Sequence, residues 1–178
     1  MKTQKILFLI GVLNYQTFKM QFSLTIQEIN QLARKVHSQS KQDGVILGIL
    51  NHLGSLTYKC VEFGAGDGKH LSNTLYLEEN GWSRKLFDVE PGSNEVIKER
   101  ITPDNINSVF DKHGIAYIDY LSIDCDGLDP YMFLELEIRP KLISVEYNSK
   151  FSCEESYIVE RNNDHIWQGD DYYSASLS

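Results

Sequence analysis

Apolar residues recur along this chain in two rhythms. Between Thr25 and His37, Ile26, Ile29, Leu32 and Val36 return at helical spacing. Thr25 with Glu28 three residues on forms a capping-box pattern that starts this helix. Gln42–Leu53 reads as a second helix, stopped by Gly54. Beyond it the rhythm changes. Tyr58–Phe63, Lys85–Val89, Ala116–Ile123 and Leu142–Tyr147 are short, mostly apolar runs that predict strands. They alternate with predicted helices at Leu71–Glu79 (closed by Asn80-Gly81), Pro103–Asp111 and Pro130–Glu137. Strands this apolar are buried on both faces. Their alternation with helices implies an α/β fold with a mainly parallel sheet and helices on both faces. The two N-terminal helices flank that sheet. Residues 1–19 are expected to be an N-terminal extension, 20–56 a helical flank and 57–178 the main domain.

Composition narrows the function classes. The chain has 178 residues, 42% hydrophobic and 24% charged, and a formal net charge of −8. That suits one folded domain and argues against non-specific nucleic-acid binding, which needs clustered Lys and Arg. Cys60, Cys125 and Cys153 form no CxxC pair, so neither a disulfide framework nor a zinc site is expected, and a cytoplasmic setting fits. Met1–Lys5 followed by the apolar run Ile6–Leu13 has a signal-peptide outline. No small-residue cleavage site follows, and the run is too short to span a bilayer; Met20 is an alternative start. No membrane association is expected.

The sharpest chemical feature is Val61-Glu62-Phe63-Gly64-Ala65-Gly66-Asp67-Gly68, leaving a strand and expected to enter a helix directly. Glycines there permit positive φ and close approach of backbone to a ligand, and a helix N-terminus would add free N–H groups. A dinucleotide GxGxxG would need glycine where Lys69 stands, and a phosphate-binding P-loop fails at Phe63 and His70. Asp88, with Glu90 as the neighbouring alternative, ends the next predicted strand. In α/β nucleoside sites an acid about 20 residues beyond the glycines accepts the ribose hydroxyls. Asp124 and Asp126 cluster where a third strand ends, and Glu146, Tyr147 and Asn148 end a fourth. Ligands of open α/β sheets lie beyond these carboxyl ends. A calcium loop over Asp124, Asp126 and Asp129 fails, because its sixth position needs glycine and holds Asp129; a two-carboxylate magnesium site stays open on spacing, and no metal is assigned.

The segments VEFGAGDGKHLSNT, LFDVEPG, TPDNINSVF, YLSIDCDGLDPYMF and RPKLISVEYN, in this order, resemble FkbM-like class I methyltransferases; GDDYYSASL resembles a lid segment of that group. The resemblance implies a Rossmann-like sheet and S-adenosyl-L-methionine as methyl donor. It places Glu62, Gly64, Ala65, Gly66 and Asp67 against the methionine end of the cofactor, Asp88 on the ribose and Asp124 near the amine and the transferred methyl. It implies O-methylation of a hydroxyl on a small molecule or glycan. Asp126, Asp124 and His70, then Glu146, are the candidate bases, with Tyr147, Tyr172 and Tyr173 as candidate acceptor-pocket residues. Family domains continue past the lid with antiparallel strands. Their absence here implies an exposed sheet edge, covered by a partner or a second copy, or else a truncated, non-catalytic cofactor-binding or interaction module. A dehydrogenase is the other alternative, disfavoured by Lys69.

Overall fold

The computed structural model describes residues 5–10, 24–54 and 57–178. Eleven elements follow in order: β1 (Lys5–Ile10), α1 (Ile26–Leu32), α2 (Gln42–Leu53), β2 (Lys59–Phe63), α3 (Leu75–Glu79), β3 (Ser83–Asp88), β4 (Val96–Lys98), α4 (Ile106–Lys112), β5 (Tyr120–Ile123), α5 (Asp129–Glu135) and β6 (Leu142–Tyr147). One six-stranded sheet has the order β1-β6-β5-β2-β3-β4. β2 to β6 are mutually parallel, and β1 runs antiparallel beside β6. This is an α/β, Rossmann-like architecture. No helix among the described residues is long and apolar enough to cross a membrane.

Side-chain alternation splits the sheet into two cores. Val61, Phe63, Leu121, Ile123, Ile143 and Val145 face α4 and α5, packing on Ile106, Val109, Phe110 and Met132. Cys60, Tyr120 and Leu142 face Ile46, Ile49, Leu50 and Leu53 of α2. Toward the carboxyl ends this second face turns polar. Glu62, Ser122 and Ser144 are register partners across three strands and all are buried. The Tyr120 hydroxyl lies 2.6 Å from Ser144 Oγ, and Ser144 Oγ donates to Ser122 Oγ at 3.3 Å.

Three expectations are corrected, and one strand is added. The first helix stops at Leu32 instead of reaching His37. The Asp43 carboxylate accepts the N–H groups of Val36, His37 and Ser38, holding that stretch outside any helix. The glycine loop does not lead straight into a helix either: Leu71 has φ +60°, and α3 starts only at Leu75. Strand β4, among charged neighbours, was not anticipated. Finally, the sheet edge expected to be bare is covered. Backbone pairing runs from Lys5 opposite Tyr147 to Ile10 opposite Leu142, so part of the expected N-terminal extension is a strand of the main sheet and β1, not β6, is the outermost strand on that side. The alternative start at Met20 lies outside the described residues.

Candidate functional site

Strand order reverses at β2: its chain successor β3 lies on one side, and β5, leading on to β6, lies on the other. Loops leaving two such strands diverge and open a crevice between them. Here the loops are those after Phe63 and Ile123. They meet closely: the Asp124 N–H donates to Phe63 O at 3.2 Å. A Cβ on Gly64 would lie 1.7 Å from Asp124 O, and Gly64 sits at φ +77°. Only glycine fits there.

The loop is braced from β3. Gly64 and Ala65 N–H donate to Phe87 O, and Gly66 N–H donates to Asp88 Oδ2 at 2.7 Å. The other Asp88 oxygen accepts the Glu90 N–H at 2.8 Å. Asp88 thus stands beside the glycine turn, on the same edge of the sheet. Glu62, buried beneath it, accepts from the Ser72 hydroxyl at 2.8 Å, the Asn73 N–H at 2.7 Å and the Thr74 hydroxyl. Those three bonds hold residues 72–74 in a turn and delay the helix. Burial still pushes the Glu62 carboxyl above its ordinary range, against the pull of the three donors.

Two cavities adjoin at Gly64, Asp124 and Asp126. The larger, about 400 Å³, is lined by Asp88–Glu90, Glu99–Thr102 and Cys125–Leu128, with Met132, Asn163, His165, Ile166 and Trp167 completing the wall. The smaller, about 160 Å³, is lined by Glu62, Gly64–Gly66, His70–Ser72, Asp124 and Asp126. Their combined size suits a small-molecule ligand. The larger wall carries Asp88, Glu90, Glu99, Asp124 and Asp126 against one permanent cation, Arg100. Burial, then the neighbouring Asp129 and Asp126 carboxylates, hold the Asp124 carboxyl well above its usual range. Asp129 is itself an anchor: buried, it accepts the N–H groups of Cys125 at 2.7 Å and Gly127 at 2.9 Å. Among the described residues no group of three or more His, Cys, Asp or Glu is arranged to hold a metal ion.

Of the residues singled out in the sequence, Glu62, Gly64, Ala65, Gly66, His70, Asp88, Asp124 and Asp126 all line one cavity or the other. Asp67 lines neither; its carboxylate accepts the Lys69 and His70 N–H groups on the outer side of the turn, beside Gly92. Tyr147, Tyr172 and Tyr173 also stand outside both walls, as does Glu146, which is buried. The GDDYYSASL segment is mostly exposed, but it is anchored at its middle by Tyr173 and Ser174, which are buried. Ser174 N–H donates to Gly127 O at 2.9 Å and its hydroxyl to Glu146 O at 2.6 Å, while Tyr173 is 2% exposed. The sequence reading missed Arg100, Asn163, His165 and Trp167, which come from segments without periodicity; an aromatic residue alone in a polar run, as Trp167 is, was the one available hint. Comparison with family models, with curated proteins and with solved structures returns no match.

Proposed function

We propose that this protein is an S-adenosylmethionine-dependent methyltransferase acting on a hydroxyl of a small molecule or glycan. One observation carries the reading: at the strand switch point, glycine-lined backbone and a ring of carboxylates enclose a ligand-sized cavity with little positive charge. Such a wall favours a cationic ligand and repels a polyphosphate. S-adenosylmethionine bears a sulfonium and an ammonium; a dinucleotide bears a pyrophosphate. The pyrophosphate's usual support, a helix N-terminus directly behind the glycines, is missing because α3 begins at Leu75.

The residues present fit the donor. The open space above Gly66, where a Cβ would meet nothing within 4 Å, leaves room beside the smaller cavity for its amino-acid end. Asp124 and Asp126, shared by both cavities, face the boundary where sulfonium and ammonium would lie. Glu90, exposed on the wall, and Asp88, whose oxygens keep further lone pairs beyond the two N–H groups they accept, would take the ribose hydroxyls. When bound, the cofactor supplies an electrophilic methyl. The walls of the two cavities would orient the acceptor oxygen toward that methyl. The acceptor proton passes to Asp126 or Asp124, with His70 on the smaller cavity as the third candidate. Orientation of the two reactants contributes most of the rate. The free thiols of Cys60, Cys125 and Cys153 fit a cytoplasmic setting.

Calorimetry with S-adenosylmethionine, S-adenosylhomocysteine and NAD tests the reading. Saturable binding of the first two alone supports it, as does weaker binding by Asp88→Asn and Glu90→Gln. Binding of NAD in preference to both would sink it. Binding without turnover across a panel of hydroxylated acceptors would leave a non-catalytic cofactor-binding module.

A further inference from the structure

The larger cavity is roofed on one side by residues 163–167, which belong to no helix or strand, and Arg100 ties that roof to the cavity wall. Arg100, itself on the cavity wall, donates from Nη2 to Asn163 O at 2.7 Å and to His165 O at 3.1 Å. Its own mount is rigid. Asn105 donates from Nδ2 to Arg100 O at 2.8 Å and accepts the Thr102 N–H at 2.7 Å, just ahead of α4. The outer side of the roof is held separately: Arg161 and Asn163 both donate to the Asp104 carboxylate, and Arg161 also pairs with Glu135. Those outer contacts are exposed and weakly stabilising. The Arg100 bonds are sheltered, and charge-assisted donors are the stronger kind.

The roof also carries two buried polar atoms with no hydrogen-bond partner among the described residues, Asn163 Oδ1 and His165 Nε2. Both residues line the larger cavity. Buried polar atoms are almost always partnered, and an orphan calls for an explanation such as a missing ligand. The one permanent cation of an otherwise acidic wall is therefore committed to backbone carbonyls, not offered to an anion.

We propose that Arg100 is a positioning residue of this site: it latches residues 163–167 over the larger cavity, and a bound ligand leaves by undoing that latch. The ligand's identity rests on the methyltransferase reading; the latch does not. Dissociation of S-adenosylhomocysteine is followed by stopped-flow fluorescence of Trp167, which lines the cavity, in the wild type and in Arg100→Gln. Backbone amide exchange over residues 163–167 and the urea midpoint are measured alongside. Loss of the latch should speed dissociation by about tenfold or more with little change in association, since such differences show mainly in the off-rate. Amide exchange over 163–167 should rise selectively, while a merely structural loss would lower the urea midpoint and raise exchange everywhere. An unchanged off-rate overturns the proposal. Should the wild type fail to bind S-adenosylhomocysteine, the methyltransferase reading fails and amide exchange alone decides the latch: selective acceleration supports it, no change refutes it. If Arg100→Gln does not fold, Arg100→Met, which keeps the aliphatic stem, is read the same way.

Discussion

Gly64→Ala measures how tightly the two loops of the site are joined. A Cβ there would stand 1.7 Å from Asp124 O, 2.7 Å from Asp124 C and 3.3 Å from Cys125 Cα. These are backbone atoms, which have no rotamer to give. Gly64 also sits at φ +77°, where an L-residue costs about 1–2 kcal/mol. Forcing an extra methyl into a packed site adds about 1–3 kcal/mol. The sum, about 2–5 kcal/mol, is a large part of a total stability of about 5–15 kcal/mol. For a chain of this size it corresponds to a fall in Tm of about 5–20 °C. Gly66→Ala is the internal control. Its φ is +56° and its Cβ would meet nothing within 4 Å, so only the conformational cost of about 1–2 kcal/mol applies. Gly68→Ala should fall between, because its Cβ would meet the movable side chains of Leu86 and Val96 at 2.8 and 3.3 Å. Urea unfolding of all three variants gives the ranking. Equal losses at Gly64 and Gly66 would refute the close approach of the two loops.

Three further outcomes are expected. The folded state holds the Glu62 proton more tightly than the unfolded chain does; this contribution is therefore complete below the ordinary carboxylate pKa of about 4.3 and is lost as pH rises through the folded value. Glu62→Gln should flatten that decline in urea midpoints taken from pH 4 to 8 (order of the usual working range), and an unaltered slope would count against it. Tyr120→Phe, deleting the bond to Ser144 Oγ within the fully buried ladder, should cost about 1 kcal/mol by the same assay, and no loss would show that the ladder is slack. Asp43→Ala should cost at least about 2 kcal/mol and speed amide exchange at Val36, His37 and Ser38, whose N–H groups it holds; unchanged protection there would contradict the bonding.

The interior strands were readable because burial on both faces leaves a mostly apolar run, broken in β2 and β6 by the buried Glu62 and by Ser144 and Glu146. Their ends were less so. Ala116–Asp119 looks like strand, but β5 begins only at Tyr120; Asp119 alone of that stretch bonds by its backbone to the neighbouring strands, through Lys59 O and the Leu142 N–H. At the end of the first helix and the start of α3 a carboxylate outside the helix, Asp43 or Glu62, accepts N–H or hydroxyl groups of the residues that local pattern assigned to it. Strand β4 has three residues, too few for periodicity to speak. At the site, glycines and strand-end acids were legible because turn geometry and topology constrain them. Arg100 was not, since its role depends on carbonyls of residues 163 and 165 that no spacing rule connects to it.

Strand β1 has a consequence for how the chain is made. Lys5–Ile10 lies opposite residues 142–147, so β1 can find its place only after β6 has been synthesised. Until then its backbone has no neighbour to bond with, and closure across nearly the whole chain is a slow, late step. The strand that closes this side of the sheet waits for the last of the described strands to be made.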